Sequence, residues 1–275
     1  MRKDDFLRLT ANFIDWLCNK ERNADLHHEW TAPNRGYRLV APAPGETFRF
    51  SSLASAREQY FWDGQGFGEN AIRLENLRTN LRQTIQLDRH NALNEVLTEI
   101  LRWGGVHRYP RIRDWVVGYD GPCLRQLQEL LQETTHGLRP LDRLHERAQG
   151  PTADRLVVDS GLTKVYALLV DGFCMFDSRV ACGLQTLLAK YEQENGLQLD
   201  SECRIPALSQ RRRVQGMPRL RQTRSLERLL WNVKVSWLIQ GLLQAPPFDA
   251  RSWTVRDIEA SLFMYGYAPP PPRQS

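Results

Sequence analysis

The chain has 275 residues, of which 41% are hydrophobic and 25% are charged, and its formal net charge is +5. This length provides material for one or two domains with a buried core, and the composition is that of an ordinary globular protein. No apolar run is long enough to cross a membrane, and Met1 to Asp5 lead into an amphipathic segment rather than a signal peptide. Five cysteines without paired spacing favour free thiols. We therefore expect a cytoplasmic protein that does not associate with membranes.

Helical periodicity dominates the first half of the chain. Three apolar stripes predict amphipathic helices, and they consist of Phe6, Leu9, Phe13, Ile14 and Leu17, then Leu74, Leu77, Leu81 and Ile85, then Leu93, Val96, Leu97, Ile100 and Leu101. The pair Gly104-Gly105 ends the third helix. A further stripe begins at Leu124, and the segment Leu138 to Ala148 is predicted to form the next helix.

One region carries a persuasive β pattern. The segments Gly36 to Val40 and Glu46 to Phe50 predict a short hairpin around the turn Pro42 to Gly45. The glycine-rich segment Gly64 to Gly68 lacks the spacing of a nucleotide-binding loop, so we interpret it as a flexible turn before Asn70.

The C-terminal part is also predicted to be helical. Val180 to Tyr191 forms one helix, Leu226 to Leu243 is apolar almost all round and predicts a buried helix, and Val255 to Tyr265 forms the last. The tail after Ala268 contains too much proline to be helical. The fold class expected from these patterns is mainly α, with at most a small β-hairpin near the N-terminus.

Positive charge is concentrated in one segment. Nine basic residues and a single acid, Glu227, lie between Arg204 and Lys234. A basic stretch on a nearly neutral body is the electrostatic pattern of a protein that binds a polyanion, and with DNA it contributes salt-sensitive affinity that does not depend on sequence. We assign DNA contacts in this segment to Arg211, Arg212 and Arg213.

Lysine is scarce, since the basic residues comprise 32 arginines and only 5 lysines. One of them, Lys164, lies in the first turn of a predicted apolar helix. Arginine binds phosphate equally well, but only a lysine amine can lose its proton and attack an electrophilic carbon when it is partly desolvated. Asp177 follows where the next helix is predicted to begin, so neighbouring helix beginnings offer an amine and a carboxylate.

The segment Asp159 to Leu184 resembles the active-site segment of the helix-hairpin-helix DNA glycosylases, most of all their 8-oxoguanine DNA glycosylase branch. In that family a hairpin leads into a helix that opens with Thr-Lys or Arg-Lys, and a Val-Asp or Leu-Asp pair opens the following helix. Here Thr163-Lys164-Val165 and Phe176-Asp177-Ser178 occupy those places. The resemblance implies two helical lobes with a cleft between them, one built from the N- and C-terminal pieces and the other from the middle.

This architecture predicts four segments, which are an N-terminal region 1–70, a central lobe 71–176, C-terminal helices 177–268 and a tail 269–275. The resemblance implies that Lys164 is the nucleophile, that Asp177 is the catalytic carboxylate, and that Ser160, Gly161 and Thr163 of the hairpin contact DNA. Double-stranded DNA with a modified base is the expected partner, and the protein is expected to act as a monomer. The cysteine array of the iron-sulfur members is absent from the sequence, and no cofactor is expected.

A base that is excised from a duplex must be flipped into a pocket with aromatic walls. The candidates are Trp103, Tyr109, Trp115, Phe173, Phe263 and Tyr265. We choose Trp103, beside Gly104-Gly105, and Phe263, on the last helix, although each aromatic residue also has an ordinary role in a core. The histidines lack the spacing of zinc ligands, so no metal is expected.

The predicted function is that of a DNA glycosylase, with AP lyase activity expected from the lysine. Two substrate classes stay open. Oxidised guanine follows from the branch that the segment resembles, whereas the unusual hairpin and N-terminal region suit a bacterial antiviral enzyme that attacks hypermodified bases in phage DNA. The alternatives to an enzyme are a non-catalytic DNA-binding protein of the same fold and a helical protein whose basic loop binds another acidic partner.

Overall fold

The computed structural model describes residues 1–87, 89–106, 121–148, 159, 161–220, 225–248 and 252–267. Over these residues the protein is mainly helical, which confirms the predicted fold class at that level. The helices are α1 (Lys3–Arg22), α2 (Leu53–Glu58), α3 (Phe67–Gln86), α4 (His90–Trp103), α5 (Gly121–Thr135), α6 (Asp142–Ala148), α7 (Leu162–Leu169), α8 (Ser178–Asn195), α9 (Ser225–Leu242) and α10 (Val255–Tyr265).

The predicted N-terminal hairpin has the wrong first strand. Strand β2 (Thr47–Phe50) pairs in antiparallel register with β1 (His28–Thr31), while Tyr37–Leu39 forms a short 3-10 turn. Trp30 faces Phe48 across the pair, with ring centroids 4.4 Å apart, and both side chains are buried. Stacked aromatic residues stabilise a two-stranded pair, and this contact between strands determines the register.

A second hairpin forms at residues 61–66 and overlaps the segment Gly64 to Gly68, which is predicted to be a flexible turn. Strands β3 (Phe61–Trp62) and β4 (Gln65–Gly66) are joined by Asp63 and Gly64, whose φ angles are 52° and 85°. Asp-Gly with two positive φ angles is a favoured two-residue hairpin connection. The Asn70 side-chain nitrogen lies 3.0 to 3.1 Å from the carbonyl oxygens of Trp62, Gln65 and Gly66, so it stabilises this turn.

The contacts divide the chain into two compact units. Unit 1 comprises residues 1–4, 71–177 and 222–237, and unit 2 comprises residues 5–70, 178–221 and 238–275. Each unit is described by itself below.

Unit 1 buries the predicted stripes of α3 and α4 except for Val96, which is half-buried. Leu74, Leu77, Leu81 and Ile85 are all buried, as are Leu93, Leu97, Ile100 and Leu101, and α4 packs against α7. Trp237 of α9 is fully buried and donates a hydrogen bond from Nε1 to the carbonyl oxygen of Thr134 at 3.0 Å. The buried face of α4 therefore packs against α7, the helix that carries Lys164.

Unit 2 contains α8 and α10 in close contact. Gly183 and Gly266 leave room only for hydrogen at their α-carbons, since a Cβ at either position would collide with backbone atoms of Leu262 and Arg179, respectively. In α1 the buried face contains Phe6, Thr10, Phe13 and Leu17, whereas Leu9 of the predicted stripe is 46% exposed. Thr10 can be buried because its hydroxyl donates to the Phe6 carbonyl oxygen at 3.0 Å.

Candidate active site

The carboxylate of Asp159 binds the backbone at the start of helix α7, and this residue is not among those selected from the sequence. Asp159 Oδ1 accepts hydrogen bonds from the backbone amides of Gly161 at 2.7 Å and Leu162 at 2.9 Å. Its carbonyl oxygen accepts from the amide of Thr163 at 3.1 Å. An aspartate in this position satisfies amides that have no partner within the helix, so it fixes where α7 starts and where Lys164 is placed.

Lys164 is buried, with only 6% of its surface exposed. Its aliphatic stem lies against Gly104, at the end of α4, because a Cβ on Gly104 would come within 2.5 Å of Lys164 Cδ. Neighbours of Lys164 along α7 are also buried, among them Thr163 and Val165. Most of the lysine is therefore enclosed by protein, while its amine extends toward Asp177.

The amine and carboxylate lie close together within unit 1. Lys164 Nζ is 3.8 Å from Asp177 Oδ2, and the two side chains are 8% and 14% exposed. Because the two side chains are so little exposed, salt screens their electrostatic attraction less than it would screen a pair on the surface. Asp177 immediately precedes α8, which begins at Ser178.

Helix α9 holds the loop that carries Asp177. Ser236 Oγ accepts a hydrogen bond from the Cys174 amide at 3.0 Å, and Asn232 Nδ2 donates to the Cys174 carbonyl oxygen at 2.7 Å. Both polar side chains are fully buried. Two tight turns continue to the aspartate, in which the amides of Phe176 and Asp177 donate to the carbonyl oxygens of Cys174 and Met175. The sequence signal for these contacts is weak, because Asn232 and Ser236 are two among several polar residues of α9.

Two of the three residues near Lys164 that we assign to DNA contact other parts of the protein or are buried. The Gly161 amide donates to Asp159, Thr163 is 2% exposed, and Ser160 lies outside the described residues. Arg228 of α9 lies near enough to Asp159 to interact electrostatically. Burial lowers the pKa of the Arg228 guanidinium, and the Asp159 carboxylate acts in the opposite direction. The amides of Gly161 and Leu162 therefore already face an anionic group from the chain itself.

The two residues chosen for the base pocket lie in different units. Trp103 of unit 1 ends α4 beside Gly104 and is 4% exposed. Phe263 of unit 2 is half-buried, and its ring centroid is 5.5 Å from those of Tyr60 and Trp62. Of the other candidates, Phe173 and Tyr265 are buried, whereas Tyr109 and Trp115 lie outside the described residues.

An arginine that the sequence analysis did not select lies among the rings of unit 2. The guanidinium carbon of Arg179 is 5.0 Å from the ring centroid of Trp62, 4.7 Å from that of Phe263 and 4.6 Å from that of Tyr267. Such contacts combine cation–π attraction with planar stacking. Arg179 is the second residue of α8, and a ring cluster of this kind has no signature in a single sequence.

The predicted DNA-binding arginines lie on a loop that α8 holds in place. Gln185, fully buried, donates from Nε2 to the carbonyl oxygens of Ile205 at 2.9 Å and Pro218 at 3.1 Å, and its Oε1 accepts from the Val214 amide at 3.2 Å. Arg211 and Arg213 are exposed on this loop, whereas Arg212 is half-buried, 5.9 Å from the Tyr267 ring. One glutamine thus anchors three points of the arginine loop, which we define as residues 205–218.

All five cysteines are free thiols, as expected. Among the residues that the structure describes, no cluster of three histidine, cysteine, aspartate or glutamate side chains is arranged to hold a metal ion. In the same part of the chain, no helix combines the length and apolar character needed to cross a bilayer.

Comparison of the chain with models of protein families, with curated proteins and with solved structures found no match. The function is therefore inferred from the residues of the site.

Proposed function

We propose that the protein is a DNA glycosylase that excises a modified base, with Lys164 as the nucleophile and Asp177 as the catalytic carboxylate. The observation that carries this proposal is the distance of 3.8 Å between Lys164 Nζ and Asp177 Oδ2 in a poorly exposed setting. An amine and a carboxylate at this distance are close enough to act on the same deoxyribose, the amine as nucleophile and the carboxylate as a stabilising charge.

The chemistry requires both groups. Cleavage of the glycosidic bond develops positive charge on the deoxyribose, which the Asp177 carboxylate stabilises. The unprotonated Lys164 amine attacks C1′, so a carbon–nitrogen bond to the enzyme forms while the bond to the base breaks, and the departing base takes up a proton. Ring opening gives a Schiff base. Loss of a C2′ proton then expels the 3′ phosphate and nicks the strand, which is the AP lyase step.

The charge distribution supports DNA as the partner. The segment Arg204 to Lys234 contains nine basic residues and one acid, and Arg211 and Arg213 are exposed on the arginine loop. Contacts to phosphates supply affinity that does not depend on sequence. The candidates for the modified base are oxidised guanine and the hypermodified bases of phage DNA.

Borohydride trapping tests the nucleophile directly. Wild type, Lys164→Gln and Lys234→Gln are incubated with duplexes that contain oxidised guanine, an abasic site or a hypermodified cytosine. Lys234 is the matched control because it is also 6% exposed and also belongs to unit 1, where its Nζ lies 4.5 Å from the Trp231 ring centroid. We expect a covalent adduct in wild type and in Lys234→Gln, and none in Lys164→Gln.

The outcomes separate the mechanisms. Base release without an adduct would indicate a monofunctional glycosylase in which Asp177 acts with water. If the adduct disappears only in Lys234→Gln, then Lys234 is the nucleophile and our assignment of Lys164 is wrong. The duplex that is trapped identifies the class of base, and release of no base from any duplex that the protein binds would contradict the proposed activity.

A non-catalytic DNA-binding protein is the second candidate, and the burial of Lys164 favours it. A lysine that is 6% exposed and lies 3.8 Å from a carboxylate can also form an ion pair whose role is structural. In that case wild type binds duplex DNA in a salt-dependent manner and releases no base, and Lys164→Gln binds DNA as wild type does.

A further inference from the structure

Gly104 ends α4 at the point where the side chain of Lys164 lies. A Cβ built on Gly104 would come within 2.5 Å of Lys164 Cδ and 2.8 Å of Lys164 Cε. The stem of the lysine thus occupies the space that any larger residue at position 104 would need. We propose that Gly104 is a positioning residue for Lys164, because its missing side chain lets the lysine lie across the end of α4 with its amine beside Asp177.

The backbone conformation at position 104 does not require a glycine. Gly104 has φ −69° and ψ −4°, which any L-residue can adopt, whereas the next residue, Gly105, has φ 70° and lies in the left-handed region that favours glycine. Glycine is therefore required at positions 104 and 105 for two different physical reasons. Gly105 allows the chain to turn out of the helix, and Gly104 provides room for Lys164.

The clash at position 104 involves the flexible end of a side chain. Lysine Cδ and Cε can move by rotation about the side-chain bonds, so alanine at position 104 is expected to displace the lysine rather than the backbone. Alanine also has a higher helix propensity than glycine, which opposes any loss of stability. Gly104→Ala should consequently move the amine while leaving the fold intact.

The effect on catalysis rests on the proposed function, but the contact itself does not. Lys164 and Gly104 touch in the free protein, so the reactivity of the lysine amine reports on Gly104 without DNA. Competitive acetylation of the full chain with acetic anhydride over a range of pH, followed by mass spectrometry of peptides, gives the pKa and the reactivity of each amine. The four other lysines are internal references, and Lys234 matches Lys164 in burial.

The control variant is Gly68→Ala, which makes the same substitution in helix α3, where an added Cβ meets no atom within 4 Å. In Gly104→Ala we expect Lys164 to become several-fold more reactive toward the anhydride, because displacement of its stem exposes the amine. Single-turnover base release should fall about 100-fold, the cost expected when a reacting group is misplaced by roughly 1 Å. Gly68→Ala should match wild type in acetylation and base release, and its thermal unfolding midpoint should lie at or slightly above that of wild type because alanine has the higher helix propensity.

Unchanged acetylation of Lys164 in Gly104→Ala would overturn the proposal. So would an unfolding midpoint below that of wild type, since the backbone rather than the lysine would then have moved. Increased acetylation with an unchanged rate of base release would also overturn it, because the position of the amine would not matter. If wild type releases no base, the proposed function fails, yet increased acetylation would still support the role of Gly104 in holding Lys164.

Discussion

Two aspartates of the same loop have different environments, although their side chains are chemically identical. Asp171 is 52% exposed and pairs with Arg78 and with Arg82, whose Nη2 is 2.9 Å away. Asp177 is 14% exposed and faces Lys164. Since exposure and partner determine what a carboxylate can do, Asp177 can stabilise a developing positive charge, whereas Asp171 anchors α3 through arginines.

The first prediction compares these two aspartates. Asp177→Asn keeps the size of the side chain but removes the negative charge, so we expect single-turnover base release to fall about 100-fold or more. Asp171→Asn removes an equal charge from the same loop and should leave the chemical step at the wild-type rate. Equal rates in the two variants would rule out a catalytic role for Asp177.

His28 illustrates a different consequence of burial. Its ring stacks on Tyr265 with centroids 5.1 Å apart, and its Nε2 is buried without a hydrogen-bond partner among the described residues. Burial, assisted by the positive charge of Lys190, lowers the pKa of His28 from 6.5 to about 4. The folded protein therefore keeps His28 neutral at a pH where the unfolded chain binds a proton.

The second prediction follows from this pKa. Because the unfolded state binds the extra proton between about pH 4 and pH 6.5, the contribution of His28 to the free energy of unfolding falls as the pH drops through that window. Between pH 7.5 and pH 4.5 the loss should be roughly 2.5 kcal/mol. Urea titrations at the two pH values should show a smaller acid-induced loss in His28→Phe.

His27 provides the matched control, since its side chain is 77% exposed. His27→Gln should retain the acid-induced loss of wild type. If His28→Phe and wild type lose the same free energy of unfolding on acidification, burial of His28 does not contribute to the pH dependence of stability.

At the scale of elements, α9 supports the loop between α7 and α8 through polar contacts. Ser236 and Asn232 bind both backbone groups of Cys174, three residues before Asp177. An apolar helix face would bury the loop equally well but would leave these backbone groups without partners. Ser236 and Asn232 therefore maintain the position of the loop that carries Asp177.

The third prediction tests this support. Ser236→Ala leaves the buried Cys174 amide without its acceptor, which should lower the free energy of unfolding by about 1 to 3 kcal/mol. Base release should also slow by roughly tenfold, because Asp177 is held less firmly. Chemical denaturation and single-turnover kinetics measure the two effects.

Ser261 is the control for Ser236→Ala. It is equally buried and donates to the carbonyl oxygens of Leu53 and Asp257 within unit 2. Ser261→Ala should reduce stability without slowing the chemical step. A slower step in both variants, in proportion to stability, would show that Ser236 acts through the general stability of the fold alone.

At the scale of the whole molecule, charge is distributed unevenly. The net charge is +5, yet the segment Arg204 to Lys234 contributes nine basic residues and one acid. Gln185 anchors the arginine loop at three points, so Arg211 and Arg213 are presented on an ordered loop. Ordered cations lose less conformational entropy when they bind phosphates than cations on a flexible chain do.

The fourth prediction concerns the salt dependence of DNA binding. If Arg211 and Arg213 each contact a phosphate, Arg211→Gln/Arg213→Gln should reduce the slope of log K against log salt by about two. Titrations of a labelled duplex at several salt concentrations give this slope for each variant.

The matched variant is Arg8→Gln/Arg49→Gln, which removes two arginines whose side chains are 77% and 75% exposed elsewhere in unit 2. It should leave the slope close to that of wild type. Equal slopes in the two double variants would mean that overall charge rather than the arginine loop attracts DNA. Absence of binding at low salt would favour a different acidic partner.

Much of the helical structure could be predicted because it depends on local patterns. The stripe from Leu74 to Ile85 is buried, and the last predicted helix, Val255–Tyr265, has the observed bounds. The first hairpin could not be predicted, since its register depends on Trp30 stacking on Phe48 across 18 positions of sequence. The second hairpin has a local signal in Asp63-Gly64, whereas the sequence pattern predicts only a flexible turn at Gly64 to Gly68.

The mainly helical character, the concentration of positive charge and the candidates Lys164 and Asp177 all follow from the amino-acid sequence. These properties depend on composition, periodicity and residue chemistry, which need no knowledge of distant contacts. Two features are visible only in the tertiary structure: Gly104 accommodates the stem of Lys164, and Ser236 and Asn232 hold the loop before Asp177. These contacts join residues about 60 positions apart, where packing rather than local sequence determines which groups meet.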